Sequence, residues 1–317
     1  VIDPYIKATN WGFNLFDFYE KNREDNKIYF IGDSLTAYGV DPVIVENILR
    51  TSNQSFKVYN IAYPRDRPAS RLVELKGIVE SRPKIVVIGM PYYWLDPSTD
   101  ELEIAGDYRE TRSLLASDKI EQDPYSRSLF NKSQLEHIQM DLIDLVAYKK
   151  RFFTPGIRLI LYNFGWGCYD PVKEYFNTTE MRPWTVFNRG MFNFRDQFDP
   201  GNGTQPAFDG QCPIVLTGDN ENKQAIKHIV EYLMSHEIYV IIANMPMSPY
   251  RLSDCDDNHT NTLRDFAASM RCPYYDLESL CSADEFRDMG HANYAGRQKI
   301  TRKMAEIILR ESKNVSL

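Results

Sequence analysis

Two short segments at opposite ends of the chain carry residues that together can perform nucleophilic catalysis. Gly32-Asp33-Ser34 follows an apolar run, and Asp288-Met289-Gly290-His291 lies near the carboxyl end. A serine hydroxyl is a poor nucleophile near neutral pH, so it needs a base within hydrogen-bond reach. An aspartate three residues before a histidine can fold back and accept a hydrogen bond from its Nδ1, which leaves Nε2 as that base. The residue types therefore predict a triad of Ser34, His291 and Asp288.

Each segment has a simpler interpretation when it is taken alone. Asp33 or Ser34 is the kind of residue that caps a helix, and Asp288 can cap the final helix beside a surface histidine. For the first segment alone, helix cap and nucleophile are equally favoured. The presence of both segments in one chain favours the triad.

The surrounding pattern predicts a fold that brings both segments to one edge. The apolar run Ile28–Ile31 predicts a buried parallel strand, and helical and strand patterns then alternate as β-α-β-α-β through Gly89. Further strands are predicted at 238–243 and 274–277, with helices at 41–50, 68–81, 221–236, 260–270 and 292–310. The carboxyl ends of parallel strands share one edge, where ligands bind. We predict an α/β three-layer sandwich with a central parallel sheet.

The regular pattern is interrupted twice. In the first segment, residues 91–132, apolar residues recur with no sustained helical or strand period. The second, residues 163–222, is aromatic, glycine-rich and irregular. Because so long a connection is unusual in a compact domain, the second segment is predicted to be a substrate-covering cap or a small subdomain. We therefore predict a single domain over residues 1–317 with insertions at about 91–132 and 163–222.

Composition limits the partners and cofactors. The 317 residues carry a net charge of −7, which gives no electrostatic reason to expect nucleic acid or an anionic membrane surface. No apolar run approaches the ~18 residues that span a bilayer. The first residue is Val1, not Met, so membrane anchoring through a missing N-terminal segment is compatible with the sequence. Neither metal-ligand spacing nor a phosphate-binding glycine loop occurs, and we expect no cofactor.

Two features of the sequence bear on the cellular compartment of the protein: its glycosylation acceptors and its cysteines. Asn-x-Ser/Thr acceptors exceed the roughly two that composition predicts, which favours an exported, extracytoplasmic glycoprotein; they lie at Asn53, Asn131, Asn177, Asn202, Asn258 and Asn314. The five cysteines are Cys168, Cys212, Cys255, Cys272 and Cys281. Their odd number leaves two alternatives open: one or two disulfides, or buried thiols.

Together the two segments resemble the first and last blocks of the SGNH (GDSL-type) hydrolases. Those blocks are Gly-Asp-Ser after the first strand and Asp-x-x-His before the terminal helix. Residues 288–297 look like the extended form Asp-x-x-His-x-Asn-x-x-Gly, and Asn244-Met245-Pro246 follows the penultimate strand. With these, the chain is most similar to membrane-anchored members that act on cell-envelope polymers, by acetylating alginate or loading alanine onto teichoic acids. The resemblance covers residues 27–92 and about 221–312.

The resemblance implies a flavodoxin-like sandwich and a serine esterase or O-acyltransferase that acts outside the cell on an acylated saccharide or glycolipid. The family's oxyanion donors are less complete here. Its Asn-x-Gly block corresponds to Asn60-Ile61-Ala62, and its Gly-x-Asn block to Gly89-Met90-Pro91, where proline donates nothing. The loss of one donor can cost about 3 kcal/mol. The backbone N–H groups of Ser34 and Ala62 remain the candidate donors.

Further residues near the predicted edge are candidates for substrate binding: Asp33, Arg65, Tyr92 and Asn244. Arg65, Arg67 and Arg71 would contribute to the oxyanion hole, bind an anionic substrate or lie in a solvated loop. The run Tyr92-Tyr93-Trp94 would stack on sugar rings or pack beneath the first insertion. His259 lies within an Asn-x-Thr acceptor and is predicted to be exposed. Because the third-block Asn is missing, a second hypothesis is a catalytically weak or inactive module that binds or assembles an envelope polymer.

Overall fold

The computed structural model describes residues 18–19, 26–62, 66, 68–95, 221–249, 259–288 and 290–315. All of them belong to one compact unit, and a second unit, residues 121–182, contains none of them. The strands of this part are β1 (Lys27–Gly32), β2 (Lys57–Asn60), β3 (Ile85–Gly89), β4 (Tyr239–Asn244) and β5 (Tyr274–Asp276). The α-helices are α1 (Ser34–Gly39), α2 (Pro42–Thr51), α3 (Pro68–Arg71), α4 (Leu75–Glu80), α5 (Glu221–Ser235), α6 (His259–Ser269) and α7 (Tyr294–Glu311).

The five strands form one parallel sheet in the order β2-β1-β3-β4-β5. Every residue of β1 and β3 is buried, which explains why their sequences read as continuous apolar runs. Helices α1 and α2 contact α7, and α3 and α4 contact α5, as expected for the two outer layers of a sandwich. The predicted α/β fold with a parallel sheet is confirmed.

Two paired glycines end β1 and β3 because α1 passes directly over them. A Cβ on Gly89 would lie 1.9 Å from Thr36 Oγ1, and one on Gly32 would lie 2.4 Å from the same atom. Gly32 also has a φ of +148°, which side chains other than glycine rarely adopt. Glycine at both positions lets the first turn of α1 approach the sheet edge.

The helix predicted at 68–81 is interrupted. Its residues form α3, a 3₁₀ turn at Leu72–Glu74, and then α4. A 3₁₀ turn aligns side chains three residues apart, and Arg71 Nη1 donates to Glu74 Oε2 at 2.8 Å across it. The last helix starts at Tyr294, two residues after the predicted position, because Asn293 caps it by accepting from the Gly296 N–H.

Arg71 is wholly buried at 1% exposure and connects the ends of the first two strands. Its guanidinium donates to the Asp66 and Glu74 carboxylates and, at 2.8 Å, to the Ile61 carbonyl. The prediction that Arg71 lies in a solvated loop is therefore wrong, and its contact with an oxyanion or a substrate stays a prediction. Arg65 and Arg67 lie outside the described residues.

Several predictions concern parts of the chain beyond the described ranges. These are most of both insertions, the single-domain organisation, and the remaining acceptors and cysteines. Within the described ranges, Cys272 and Cys281 are buried free thiols, and Asn53 and Asn314 are exposed. No helix there is long and apolar enough to cross a bilayer.

Candidate active site

Ser34 begins α1 directly at the carboxyl end of β1. Asp33 is the N-cap, and its Oδ1 accepts a hydrogen bond from the Leu35 N–H at 2.9 Å. The helix cap and the candidate nucleophile are therefore neighbouring residues. Asp33 caps the helix, so the Ser34 hydroxyl is not needed as the cap. Ser34 is half-buried, and no side-chain hydrogen bond joins it to another described residue.

Asp288 and His291 form a closed hydrogen-bonded loop before α7. Asp288 Oδ1 accepts from the backbone N–H groups of Gly290 and His291, at 2.9 and 2.8 Å. Asp288 Oδ2 lies 2.8 Å from His291 Nδ1. Asp288 Oδ1, which shapes the loop, also lies 2.9 Å from Nδ1. Because both carboxylate oxygens are acceptors, Nδ1 carries the proton and Nε2 is the basic nitrogen.

Electrostatics favour the ionised form of Asp288. Burial by itself would raise the pKa of this carboxyl. The hydrogen bond from His291, the charge of its imidazolium form and the two backbone donors outweigh burial and hold the pKa far below its usual range. Asp288 is therefore a carboxylate at any physiological pH and can orient His291 and stabilise its protonated form.

The imidazole of His291 packs against the helix that begins at Ser34. The rings of His291 and Tyr38 meet edge to face with centroids 4.9 Å apart. Tyr38 follows Ser34 by four residues, so the two side chains lie on the same face of α1. The structure thus brings both sequence segments to one helix. No hydrogen bond between Ser34 and His291 is present among the described residues, and that step of the triad stays a prediction.

The connection between α7 and α1 supports this arrangement. Thr301 Oγ1 donates to the Gly39 carbonyl at 3.3 Å and accepts from the Asp41 N–H at 3.0 Å. The loop itself is anchored at both sides, since the Arg287 N–H donates to the His291 carbonyl at 2.9 Å. The backbone around His291 is therefore tied to the end of the helix that Ser34 begins.

Asn60, at the end of β2, fastens the opposite side of α1. This fully buried amide donates to the carbonyls of Thr36 and Val40, at 3.0 and 2.9 Å. Its Oδ1 accepts from the Ala62 N–H at 3.2 Å. The role of Ala62 as an oxyanion donor stays a prediction, and the structure adds that this N–H already has an acceptor.

The predicted substrate-binding residues that are described have roles in the fold. Asp33 accepts from the Tyr93 hydroxyl as well as from the helix. Tyr92 is 3% exposed and packs edge to face against His259. Its predicted packing beneath the first insertion concerns residues outside the described ranges. Asn244 is fully buried and donates to the carboxylates of Asp276, which ends β5, and Glu278, which follows it. Contact of these side chains with a substrate stays a prediction.

His259 is buried rather than exposed, so that prediction is wrong. Its Nε2 lies 2.7 Å from Glu278 Oε1, and the Thr260 hydroxyl donates to Glu278 Oε2 at 3.1 Å. Burial raises the pKa of Glu278, but the hydrogen bonds from His259, Thr260 and Asn244 outweigh it and lower the pKa. No local sequence signal announces this pair, because its members are 19 positions apart.

No protein-family model and no curated protein matches this chain. Among solved structures, it aligns with the acetyl xylan esterase AlAXEase at a TM-score of 0.42 and 10% identity, over 89% of this chain and 99% of that chain. It aligns with TesA at a TM-score of 0.41 and 10% identity, over 89% of this chain and 98% of TesA. A mutant of the esterase AlinE4 aligns at a TM-score of 0.35 and 13% identity, over 90% of this chain and 96% of that chain. Likenesses this distant carry no conclusion about activity, and the assignment of function depends on the site itself.

Proposed function

We propose that this chain is a serine esterase or O-acyltransferase of the SGNH type, with Ser34 as nucleophile, His291 as general base and Asp288 as the residue that orients His291. One observation supports the proposal most. The Asp288–His291 pair has its Nδ1 held by a carboxylate, and the ring packs on Tyr38, one turn after Ser34 on the same helix. The pair thus combines an oriented base with a nearby hydroxyl that forms no side-chain hydrogen bond to another residue of the described ranges.

The reaction takes two acyl transfers. Ser34 Oγ attacks the ester carbonyl while His291 Nε2 accepts its proton, and the backbone N–H of Ser34 donates to the developing oxyanion. His291 returns the proton to the departing alcohol, which leaves Ser34 acylated. Water then attacks the acyl-serine to complete hydrolysis, or a sugar hydroxyl attacks to complete transfer. In both cases His291 takes the proton of the attacking group and Ser34 recovers it.

The proposed substrate is an acylated saccharide or glycolipid outside the cell. Two observations support this part: the motif resemblance of residues 288–297, and the exposed acceptors at Asn53 and Asn314. Exposure of the acceptor asparagine is what glycosylation in a secretory pathway requires. Mass measurement of the exported protein before and after glycosidase treatment tests this location.

The test of the catalytic proposal uses a fluorophosphonate probe and an aryl acetate. Wild-type protein should be labelled and should release the aryl alcohol, and Ser34→Ala should do neither. The matched control is Ser269→Ala, which removes an exposed serine hydroxyl near the end of α6 and should behave as wild type. An unlabelled wild type, or a Ser34→Ala variant as active as wild type, contradicts the proposal. Added saccharides that acquire the acetyl group distinguish transferase from esterase.

A second candidate is a catalytically weak or inactive module that binds or assembles an envelope polymer. It is favoured by the oxyanion region, where the Ala62 N–H already donates to Asn60 and Pro91 has no donor. This candidate predicts polymer binding that Ser34→Ala leaves unchanged, with no labelling of either protein.

A further inference from the structure

A tyrosine in the turn that follows β3 forms a hydrogen bond with the nucleophile segment, Gly32-Asp33-Ser34. Residues Tyr92–Leu95 form a 3₁₀ turn, and within it the half-buried Tyr93 donates its hydroxyl hydrogen to Asp33 Oδ2. Asp33 is 3% exposed, and its other oxygen accepts from the Leu35 N–H. A single buried carboxylate therefore joins the start of α1 to the loop after β3, across sixty positions of sequence.

Asp33 is well placed to control the geometry of Ser34. The two residues are adjacent, and the peptide bond between them carries the Ser34 N–H, the proposed oxyanion donor. A rotation of the Asp33 backbone would therefore shift both this N–H and the position from which the Ser34 hydroxyl attacks. A buried carboxylate oxygen that loses its donor is strongly unfavourable, so it would pull the residue toward another donor or toward water.

Among the described residues of this loop, Tyr93 is the one with a hydrogen bond to Asp33 in the structure. Pro91 has no hydrogen-bond donor, and the apolar Met90 is fully buried. Tyr92 is also buried and faces the ring of His259. The long phenol of Tyr93 spans the distance from the turn to Asp33.

We infer that Tyr93 is a positioning residue for the nucleophile: through Asp33, it holds the Asp33–Ser34 peptide bond in the orientation that catalysis needs. The inference rests on the proposed function. Tyr93 acts on Ser34 through Asp33 and does not itself contact the substrate, so its loss affects the chemical step and leaves substrate binding unchanged.

The variant that tests this is Tyr93→Phe, which removes the hydroxyl and keeps the ring. We expect kcat for the aryl acetate to fall about 10- to 100-fold, the range for losing a hydrogen bond to a charged group, with KM unchanged within about twofold.

A matched control removes the same kind of bond elsewhere. Tyr239 is the first residue of β4, at the opposite edge of the sheet, and its hydroxyl donates to Glu311 Oε2 at 2.5 Å. Tyr239→Phe should leave kcat and KM as in wild type. Circular dichroism and thermal unfolding verify that both variants fold.

A double-mutant cycle separates action through Asp33 from direct contact with substrate. Asp33→Ser keeps a good capping residue but shortens the side chain, so that it no longer meets Tyr93. We expect Asp33→Ser to lose about as much kcat as Tyr93→Phe, and the double variant to lose no more than either. If Tyr93→Phe does not fold, Asp33→Ser alone decides: the same loss supports the inference, and wild-type kcat contradicts it.

The outcomes distinguish failure of the proposed catalytic function from failure of the positioning role of Tyr93. A wild type that the fluorophosphonate does not label overturns the proposed function, and this inference with it. A labelled wild type together with a Tyr93→Phe variant that is equally fast overturns the inference alone. Losses that multiply in the double variant, or a loss in KM rather than kcat, would mean that Tyr93 touches the substrate and would overturn the positioning role.

Discussion

Replacement of Asp288 by Asn tests the orientation of His291 separately from the shape of its loop. Asp288 Oδ1 accepts the N–H groups of Gly290 and His291, and an asparagine oxygen can accept both in the same place. The amide nitrogen of the new side chain then takes the position of Oδ2, 2.8 Å from Nδ1. An amide nitrogen can only donate there, and Oδ1, which lies 2.9 Å from Nδ1, already accepts two backbone N–H groups. The tautomer with Nδ1 as acceptor and the proton on Nε2 is therefore favoured.

The protonated Nε2 cannot accept the hydrogen of Ser34. In Ser-His-Asp triads the wrong tautomer costs on the order of 10⁴ in kcat, or about 5 kcal/mol of transition-state stabilisation. We expect a loss of that order for Asp288→Asn at neutral pH. The free energy of unfolding should change little, because the two backbone hydrogen bonds that shape the loop remain.

Two measurements test this prediction together. Hydrolysis of an aryl acetate gives kcat, and nitrogen NMR shifts of the His291 ring report which nitrogen carries the proton. Asp265→Asn, which changes an exposed aspartate on α6, is the control and should behave as wild type. The reasoning is refuted if Asp288→Asn keeps wild-type kcat, or if its activity falls while Nδ1 still carries the proton.

Two further predictions concern stability. Gly89→Ala should lower the free energy of unfolding by about 1–3 kcal/mol in urea titrations, because its Cβ would lie 1.9 Å from Thr36 Oγ1, and the loss should shrink in a Thr36→Ala background. Glu278→Gln should lower the free energy of unfolding by about 1–3 kcal/mol at pH 7, because the buried acceptors of His259 and Thr260 are weakened. The folded-state pKa of Glu278 lies below its unfolded value. Its contribution is therefore complete above about pH 4.3 and disappears as the pH falls through the folded-state pKa.

Clear results would contradict each of these two predictions. An equal loss for Gly89→Ala with and without Thr36→Ala would mean that the Thr36 hydroxyl is not the obstacle. For Glu278, the difference between variant and wild type should narrow in acid, and a difference that widens has the wrong sign. Glu306→Gln, an exposed change on α7, should show no such pH dependence.

The sequence by itself was sufficient for the features that depend on near neighbours in the chain. Strands β1 and β3 are buried on both faces, so their apolar runs predict a parallel sheet. The Asp288–His291 hydrogen bond spans three residues and forms within one loop, which is why the spacing alone predicts it. The order of strands and helices then indicates that Ser34 and His291 lie at the same edge.

Tertiary structure decided which distant side chains became partners. Asp33 and Tyr93, Asn60 and Val40, and His259 and Glu278 are 60, 20 and 19 positions apart, and nothing in a local pattern identifies such pairs. Arg71 and His259 have polar side chains that local patterns assign to the surface, but the fold supplies carboxylates whose hydrogen bonds offset the cost of burying them.

The nucleophile segment, Gly32-Asp33-Ser34, depends both on local sequence and on tertiary contacts. Gly32-Asp33-Ser34 is recognisable in the sequence because a sharp turn after a buried strand needs these residue types. The sequence could not decide whether this turn is a cap or a nucleophile, because both depend on what approaches it. In the folded chain Asp33 takes the cap, Tyr93 and Asn60 reach the same helix from two other strands, and His291 packs on it from the last loop. Only packing across the sheet brings these groups together, since they come from four separate parts of the chain.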